Sequence, residues 1–498
     1  MANLQLQKSA IIKKASILTC EKMKIEFPEP DEVLKEKPSL RKYLRYLLFF
    51  GPGAIIASVT IGQGQLILGP QIGAWAGFKL LWLITISVAS YMVAYIGARF
   101  TILSGIDILD LFALKTKKGF LNWLFIILMG IFIPLFVAAI ITTLGQSMQW
   151  IFGFGHYLIW GIATCVFAAV LAIVGRYRVI ELSQAFFVAV LGIGAIISVA
   201  LIKPDLFEII PNFFAIGNVP DYPQWVIDEY PNLAEKPVPL IMLGYLGTLT
   251  VSVITLVSYI GWIKVKKWGI FKGKDDPDEF SRKVFEKFRK EGRISYLPDD
   301  EKEVKKAKNL LKPLLIDISL AFIIVAIVSS AYMIAGAYLL EHRLPSDINL
   351  IKEQAVIFSN IAPWLKPLYK LSVFFALFGT VYGGFEAASR MLYETGRTIS
   401  KRVGKIEYRK FMFYMMIYML VTGIPLAILA YYGLSIILIL SITLLFMGVI
   451  GVIIYGISAI YLSQKYLPEK YRLHGIWMAI SVIFLLLFSL PLVFLFIK

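Results

Sequence analysis

The chain has 498 residues, of which 58% are hydrophobic and 17% are charged. A soluble domain carries about 25% charged residues, so the composition excludes an ordinary soluble protein and indicates one that lies in lipid. The formal net charge of +17 would suit a nucleic-acid partner, unless membrane topology explains where the basic residues lie.

Long apolar stretches recur along the whole chain. A membrane-spanning helix needs roughly 20 mainly apolar residues, because unpaired backbone groups cannot be left in hydrocarbon. Eleven stretches meet this requirement, at residues 45–75, 79–103, 122–151, 157–174, 180–202, 238–263, 313–340, 368–393, 411–431, 434–462 and 474–497. The sequence therefore predicts an all-α polytopic membrane protein, with a polar N-terminal segment over 1–44 and a transmembrane domain over 45–498.

The basic residues fall mainly in every second loop. When the N-terminus is placed inside, the inner loops hold the clusters at 115–118 and 397–410 and the long basic loop 264–312. The outer loops carry fewer basic residues, and the loop between spans five and six is acidic. Because inner loops are enriched in Lys and Arg, we predict a cell-membrane protein with a cytoplasmic N-terminus and an extracellular C-terminus. Topology then explains the net charge, and no nucleic-acid partner is predicted.

The loop 264–312 contains one amphipathic stretch. Phe280, Val284, Phe285 and Phe288 recur at helical spacing among charged residues. A short helix at the membrane interface would show this pattern. We favour the simpler interpretation, a solvated connector between spans six and seven.

Two spans carry glycine and polar residues in the middle of an apolar run. They are Gly62-Gln63-Gly64-Gln65 in span one and the segment 244–250 in span six. An inverted-repeat transporter has two interrupted helices at matching positions of antiparallel halves, and the exposed backbone there binds the substrate. Spans one and six lie five apart and run in opposite directions. This predicts a five-plus-five inverted repeat over 45–202 and 238–462, with 474–497 as an additional helix.

The predicted substrate site consists of residues at these two interruptions. Buried carboxamides need hydrogen-bonding partners in hydrocarbon, so we assign Gln63 and Gln65 to a functional site rather than to helix packing. The predicted substrate-binding residues are Gly62, Gln63, Gly64, Gln65, Gly244, Tyr245, Gly247, Thr248 and Thr250.

The eighth span carries ionisable residues. Glu386 and Arg390 are spaced for an i, i+4 pair, and Tyr382 lies one turn earlier. Such residues inside a membrane are costly and often functional. A structural ion pair and a coupling or gating site both remain open for these three residues. Asp107 and Asp110 follow span two and are interpreted as loop or cap residues.

Several segments match one known family when they are taken together. They are Gly51-Pro52-Gly53, Gly62-Gln63-Gly64-Gln65, Gly73 to Trp82, Gly175 to Glu181, Gly244 to Gly247 with Trp268-Gly269, and Phe374 to Glu394. This combination resembles the Nramp family of divalent metal transporters, in an outlying branch, over most of the chain. The resemblance implies an inverted-repeat fold of the amino acid, polyamine and cation type. It also implies a cation held between broken helices one and six and coupling to protons.

Two departures from the family pattern bear on selectivity. The family has Asp-Pro-Gly-Asn at the first interruption, where this chain has no carboxylate. It has Met-Pro-His at the second, where residues 247–252 include none of the three. Thioethers favour transition metals, whereas oxygen ligands suit hard, hydrated ions. The predicted metal ligands are the side-chain oxygens of Gln63 and Gln65, with carbonyls and threonine hydroxyls nearby. A magnesium-like ion, a monovalent ion and a small solute remain open.

We expect a secondary transporter that moves a cation, in this family a divalent metal ion, by alternating access. The alternative is a carrier of a small organic or anionic solute on the same fold, which would need a wide apolar site. The sequence contains no His-Glu-x-x-His, no Gly-x-Ser-x-Gly and no phosphate-binding loop. We therefore predict no enzyme activity and no cofactor. The expected partners are the cargo and the lipid bilayer, while a channel and any oligomeric state stay open.

Overall fold

The computed structural model describes residues 25–497, except positions 63, 176, 341, 345–351, 353–354, 356–358, 360–361 and 434–435. Helices dominate these residues, and no strand occurs among them. The helices of eight residues or more are α1 (Pro52–Thr60), α2 (Gly69–Ala76), α3 (Trp82–Ser104), α4 (Ile108–Lys115), α5 (Phe120–Phe152), α6 (Tyr157–Val174), α7 (Tyr177–Ile202), α8 (Val238–Thr248), α9 (Val253–Val265), α10 (Pro277–Glu291), α11 (Glu301–Leu310), α12 (Lys312–Leu339), α13 (Leu365–Ile399), α14 (Tyr408–Tyr431), α15 (Ile436–Leu444), α16 (Gly451–Tyr466) and α17 (Gly475–Ile497).

The membrane-spanning segments follow the predicted order. In the described part of the chain, ten helical segments are long and apolar enough to cross a membrane, and they coincide with predicted spans two to eleven. Span one is absent from this count because it is interrupted, with α1 and α2 as its two halves. The all-α polytopic fold is thereby confirmed.

The helical segment that leads into span one is bent. Leu40–Phe49 forms a helical segment that meets α1 at an angle of 72°, and α1 begins at Pro52. The bend arises because a residue before proline is disfavoured in the helical conformation, and Gly51 accordingly has φ −137° and ψ −96°. Leu40 and Leu48 of the bent segment are 77% and 75% exposed.

Both predicted interruptions are present. In span one, α1 ends at Thr60, and helical structure resumes with a π turn at Gly64–Leu68 that continues into α2. In span six, residues 249–252 separate α8 from α9. Ile61 has φ −80° and ψ 90°, and Ser252 has φ −61° and ψ 163°, so neither is helical. Helices one and six are therefore broken, as the sequence predicts.

Span ten is irregular where it meets span six. A π turn at Leu445–Ile450 joins α15 to α16; such turns are frequent at functional sites. A Cβ on Gly448 would lie 2.6 Å from the carbonyl oxygen of Gly247, and the Thr250 hydroxyl donates to the Gly448 carbonyl at 2.9 Å. The two spans thus touch through their main chains, which small residues permit.

Residues 25–36 and the loop 264–312 form a layer across one side of the bundle, called here the N-terminal side. The main-chain N–H of Phe27 donates to the Glu303 carboxylate at 2.8 Å, and Lys306 forms an ion pair with Glu303 at 2.8 Å. The N-terminal segment is thereby attached to the loop between spans six and seven.

The amphipathic helix α10 packs on the bundle. Val284 and Phe288 are fully buried, and Tyr296, just after α10, donates its hydroxyl to the Ser104 carbonyl at the end of α3, 2.6 Å away. The interpretation of this loop as a solvated connector is therefore wrong. An apolar helix face can pack against protein or against the membrane, and the sequence pattern is the same in both cases.

Candidate functional site

The interruptions of spans one and six border one small cavity inside the bundle. Its volume of about 60 Å³ leaves room for a few water molecules. The backbones of Gly62, Gly64 and Gly247 form part of the wall. The hydroxyl-bearing lining residues are Thr60, Thr248, Thr250, Ser252 and Thr380.

The rest of the wall is apolar and comes mainly from α5, α13, α14 and span ten. It includes Phe136, Phe385, Met419 and Met447. None of the lining residues that the structure describes is Asp, Glu, His or Cys. Elsewhere in the described ranges, no group of three or more such residues could hold a metal ion. An ion in the cavity would therefore meet neutral oxygens on one side and carbon and sulfur on the other.

Gln65 joins the two interruptions. Its side-chain nitrogen donates to the Thr248 carbonyl at 2.8 Å and approaches the Ser329 hydroxyl of α12 at 3.3 Å. Its side-chain oxygen accepts from the main-chain N–H of Gly62 at 3.3 Å. Gln65 is completely buried and is not among the residues that line the cavity. Its carboxamide links spans one, six and seven. The other predicted metal ligand, Gln63, lies outside the described residues.

Glycine allows the interruptions to approach their neighbours closely. A Cβ on Gly64 would lie 2.0 Å from Thr248 Cγ2, and one on Gly62 would lie 2.3 Å from Thr380 Oγ1. Both distances are below any real carbon contact, so each position excludes a side chain. These glycines bring the main chain of span one against span six and against α13.

Two other predicted site residues lie away from the cavity wall. Gly244 packs against span ten, where an added Cβ would lie 2.8 Å from Ser441 Cβ. The Tyr245 hydroxyl donates to the Ser329 carbonyl of α12 at 3.4 Å. Gly247, Thr248 and Thr250 do line the cavity. The N-terminal part of the predicted span-six motif therefore contacts neighbouring helices, and its C-terminal part borders the cavity.

Sequence reasoning missed the methionines of the cavity. Met419 of α14 and Met447 of the span-ten π turn line the wall and are buried. The resemblance to the family placed a thioether ligand in span six, so methionines of other helices were not predicted. No local pattern marks either residue, because methionine is common in apolar helices.

Glu386 and Arg390 form an ion pair within α13, at 2.9 Å. Glu386 also accepts from the Trp262 indole of α9 at 2.6 Å and from the Tyr408 hydroxyl of α14 at 2.9 Å. The Arg390 guanidinium lies 3.6 Å from the centre of the Tyr408 ring. Tyr382 is buried one turn away and its ring stacks on Phe378. The carboxylate of Glu386 therefore connects spans six, eight and nine.

A buried ion cluster lies at the N-terminal side of spans six and eight. Lys264 of α9 contacts Asp107 at 2.9 Å and Glu394 at 2.8 Å, and Arg397 contacts Asp107 at 3.0 Å and Glu394 at 2.7 Å. Burial alone would raise the pKa of Asp107, but the charges of Lys264 and Arg397 hold it below its usual value. Asp107 also caps α4 by accepting from the Leu109 N–H at 3.0 Å. Asp107 is therefore a helix cap, as predicted, and it is also a member of the ion cluster, which was not predicted.

Asp317 is another residue that the sequence did not single out. It is completely buried in α12 and accepts from the main-chain N–H groups of Gly51 and Gly53 at 2.7 and 2.8 Å. The Tyr259 hydroxyl of α9 donates to it at 2.7 Å. A carboxylate is favourable at a helix N-terminus, so Asp317 holds the start of α1 against spans six and seven.

Two broken helices that share a cavity define a membrane transporter of the inverted-repeat class. The family model described as Natural resistance-associated macrophage protein-like, Nramp, matches residues 53–498. The chain belongs to the Nramp family, and it is a metal-ion transporter of that family. No curated protein matches the chain.

Solved structures are similar over most of the chain. A variant of the Eremococcus coleocola manganese transporter has a TM-score of 0.61 and 15% sequence identity, and the match covers 92% of this chain and 87% of that chain. The same transporter in complex with an aromatic bis-isothiourea substituted compound has a TM-score of 0.61 at 14% identity, with the same coverage. At these identities the likeness concerns the fold.

Proposed function

We propose that the chain carries a divalent metal ion by alternating access, and that the ion binds in the cavity between the two interruptions. The observation that carries this proposal is the cavity itself, which both broken helices border. Its volume of about 60 Å³ is far below the roughly 300–1,000 Å³ of a pocket for a drug-sized molecule. The size therefore favours an ion with part of its hydration shell over an organic solute.

The proposed ligands are oxygens of the interruptions. Gln63 and Gln65 supply carboxamide oxygens, Thr248 and Thr250 supply hydroxyls, and the freed main chain around Gly62 supplies carbonyls. Because no described lining residue is a carboxylate, the ion retains several water molecules, as Mg²⁺ does in most protein sites. The thioethers of Met419 and Met447 would add affinity for a softer ion such as Mn²⁺. We therefore expect Mn²⁺ to bind more tightly than Mg²⁺.

Access to the cavity changes when the N-terminal-side halves of spans one and six move. In this conformation Asp317 holds α1, the ion cluster around Lys264 holds α9, and Glu386 ties α9 to α13 and α14. Opening on this side requires those contacts to separate. We assign Glu386 and Arg390 to this gate, with Tyr382 beside them, rather than to proton transfer, because Glu386 already accepts hydrogen bonds from three donors.

The membrane orientation completes the proposal. The distribution of Lys and Arg indicates that the N-terminal side faces the cytoplasm and that the C-terminus is extracellular, in the cell membrane. Transport then involves no chemical conversion of the cargo, and the two repeats at 45–202 and 238–462 move relative to each other around the site.

Uptake into proteoliposomes tests this function. The purified chain is reconstituted, and entry of Mn²⁺, Mg²⁺, Ca²⁺ and a panel of amino acids is followed with and without a proton gradient. We expect saturable Mn²⁺ uptake, competition by Mg²⁺ only at higher concentration, and no amino-acid uptake. Transport of an organic solute with no response to any divalent ion would contradict the proposal.

A further inference from the structure

A basic pocket lies on the N-terminal side of the bundle, between the end of α4, the start of α5 and the last turns of α16. Its volume is about 320 Å³, within the roughly 300–1,000 Å³ of small-molecule sites. None of the lining residues that the structure describes is acidic. The polar ones are Lys115, Thr116, Ser458, Tyr461, Lys465 and Tyr466. Among these residues the pocket therefore carries two positive charges and four hydroxyl groups.

Aromatic rings hold the two lysines of this pocket. The Lys115 ammonium nitrogen lies 4.7 Å from the centre of the Tyr466 ring and 5.3 Å from that of Phe288 in α10. The Lys465 nitrogen lies 5.7 Å from the same Tyr466 ring centre and donates to the Tyr461 hydroxyl at 2.8 Å. A ring face attracts a cation but does not neutralise it. Two like charges thus share one ring and repel each other.

The lysines of this pocket differ from other basic residues on the same side of the bundle. Lys266, for example, forms an ion pair with Glu181 at 2.8 Å. No carboxylate of a described residue forms an ion pair with Lys115 or Lys465, and both lysines are exposed. Lysine ammonium groups beside hydroxyl donors are a combination that binds phosphate.

The start of α5 adds to the positive potential of the pocket. The N-cap of α5, Gly119, has no side chain that accepts from the first N–H groups of the helix. The Thr116 hydroxyl oxygen approaches one of them, at 3.5 Å from the Leu121 nitrogen, and both residues line the pocket. Because the N-terminal end of a helix carries about half a positive charge, an anion in the pocket gains from α5 as well as from the lysines.

The surface beside the pocket is apolar. Phe120 and Trp123 of α5 and Ile457 and Tyr461 of α16 are all exposed. On a membrane-spanning helix such residues face lipid, and tryptophan and tyrosine are enriched at the level of the headgroups. The positive charges of the pocket therefore lie where a lipid headgroup would be, next to surfaces that suit acyl chains.

We propose that this pocket binds the phosphate of an anionic phospholipid. Lys115 and Lys465 supply the positive charge, and the hydroxyls of Thr116, Ser458 and Tyr461 donate to phosphate oxygens. Basic pockets between membrane helices bind anionic headgroups in this way. A zwitterionic headgroup brings an ammonium group of its own, which the two lysines repel, so the pocket selects a lipid with net negative charge. The proposal requires only that these ends of α5 and α16 lie at a membrane surface.

A bound anion has a consequence for the bundle. It relieves the repulsion between the two lysines and joins the loop between spans two and three to the end of span ten. Span ten touches the interruption of span six, where an added Cβ on Gly448 would lie 2.6 Å from the Gly247 carbonyl oxygen. The lipid therefore stabilises a helix that supports the cavity, although it is bound at the surface.

The test is thermal unfolding of the purified, delipidated chain in detergent. Phosphatidylglycerol or phosphatidylcholine with identical acyl chains is added, and glycerol 3-phosphate serves as a soluble anion of the same headgroup chemistry. We expect phosphatidylglycerol to raise the melting temperature saturably, and the other two to leave it unchanged at the same concentration. Equal responses to the two lipids, or a full response to glycerol 3-phosphate, would overturn the proposal.

Variants with one charge fewer locate the effect. Lys115→Gln and Lys465→Gln should each weaken the apparent phosphatidylglycerol affinity about fivefold, equivalent to about 1 kcal/mol, whereas Lys465→Arg keeps the charge and the response. Lys308→Gln is the matched control, because Lys308 of α11 is also exposed on the N-terminal side but does not line the pocket. An unchanged response in both pocket variants, or an equal loss in Lys308→Gln, would contradict the site.

Discussion

The side-chain amide of Gln65 donates to the main-chain carbonyl of Thr248 across 2.8 Å, and this bond joins the broken part of span one to the broken part of span six. The same carboxamide accepts from the Gly62 N–H. One buried side chain thus satisfies a donor of one interruption and an acceptor of the other. The two broken segments are held at a fixed separation, which sets the width of the cavity between them.

Replacement of Gln65 by leucine should damage both stability and transport. The Thr248 carbonyl and the Gly62 N–H would lose a buried partner, at about 1–3 kcal/mol in the free energy of unfolding. We expect Mn²⁺ uptake to fall at least about tenfold, which corresponds to 1.4 kcal/mol. Gln71→Leu in α2 is the matched control, because Gln71 is also buried but its side-chain oxygen accepts no hydrogen bond from any described residue. Equal uptake by the two variants would remove Gln65 from the site.

A methyl group at Gly64 should separate the two interruptions. The added Cβ would lie 2.0 Å from Thr248 Cγ2, and overpacking of this kind costs about 1–3 kcal/mol. We expect Gly64→Ala to lose Mn²⁺ binding in calorimetry. Gly475→Ala at the start of α17 should behave as the native chain, because an added Cβ there would meet none of the other described parts of the chain within 4 Å. Normal Mn²⁺ affinity in Gly64→Ala would show that Mn²⁺ binding does not require the close approach of Gly64 to Thr248.

The positions of the interruptions could be predicted, and their contacts could not. Glycine and glutamine between apolar flanks mark residues 62–65, because hydrocarbon tolerates such residues only where they have partners. Nothing local indicates that Gln65 bonds to Thr248, which lies 183 positions away. The bend at Gly51 was not predicted, because hydropathy does not register a change of direction between two apolar helices.

The ion cluster and the contacts of Asp317 could not be predicted either, because they also join residues that are far apart in the sequence. Asp107 and Lys264 are 157 positions apart, and each looks like an ordinary loop or helix-end residue in its own segment. Glu386 and Arg390 were found because four residues separate them on one helix. Pairs within a helix can be recognised from spacing, whereas pairs between helices depend on the packing of spans that sequence alone does not place.

Loss of the Lys264 charge should destabilise the protein strongly. Lys264→Met leaves Asp107 and Glu394 buried with one cation fewer, and breaking a buried pair costs about 3–5 kcal/mol. The control is Lys283→Met: Lys283 pairs with Glu279 in α10, and these two side chains are 61% and 52% exposed, so we expect less than about 1 kcal/mol. The measurement is denaturant unfolding in detergent. If both variants lose a similar amount of unfolding free energy, burial of the ion pairs of Lys264 does not determine their contribution to stability.

Asp110 should make stability depend on pH. Burial and the neighbouring Asp107 and Glu394 carboxylates raise its pKa to about 7, against the opposing charges of Arg397 and Lys264. An acid whose pKa is higher in the folded than in the unfolded state binds protons preferentially when folded, so its contribution to stability falls as pH rises from about 4 to about 7.

We therefore expect Asp110→Asn to raise the melting temperature at about pH 8 and to leave it nearly unchanged at about pH 4. Melting curves at the two values check this sign. An equal shift in the melting temperature of Asp110→Asn at both pH values would contradict this account. A lower melting temperature of the variant at the higher pH only would contradict it as well.

Anomalous diffraction from crystals grown with Mn²⁺ tests the central claim most directly, because manganese is located without reference to any assumed ligand. The account predicts one strong peak in the cavity, within ligand distance of oxygens from both interruptions, and its loss in crystals of Gln65→Leu. A manganese peak remote from residues 60–65 and 248–252, with the cavity empty, would contradict it.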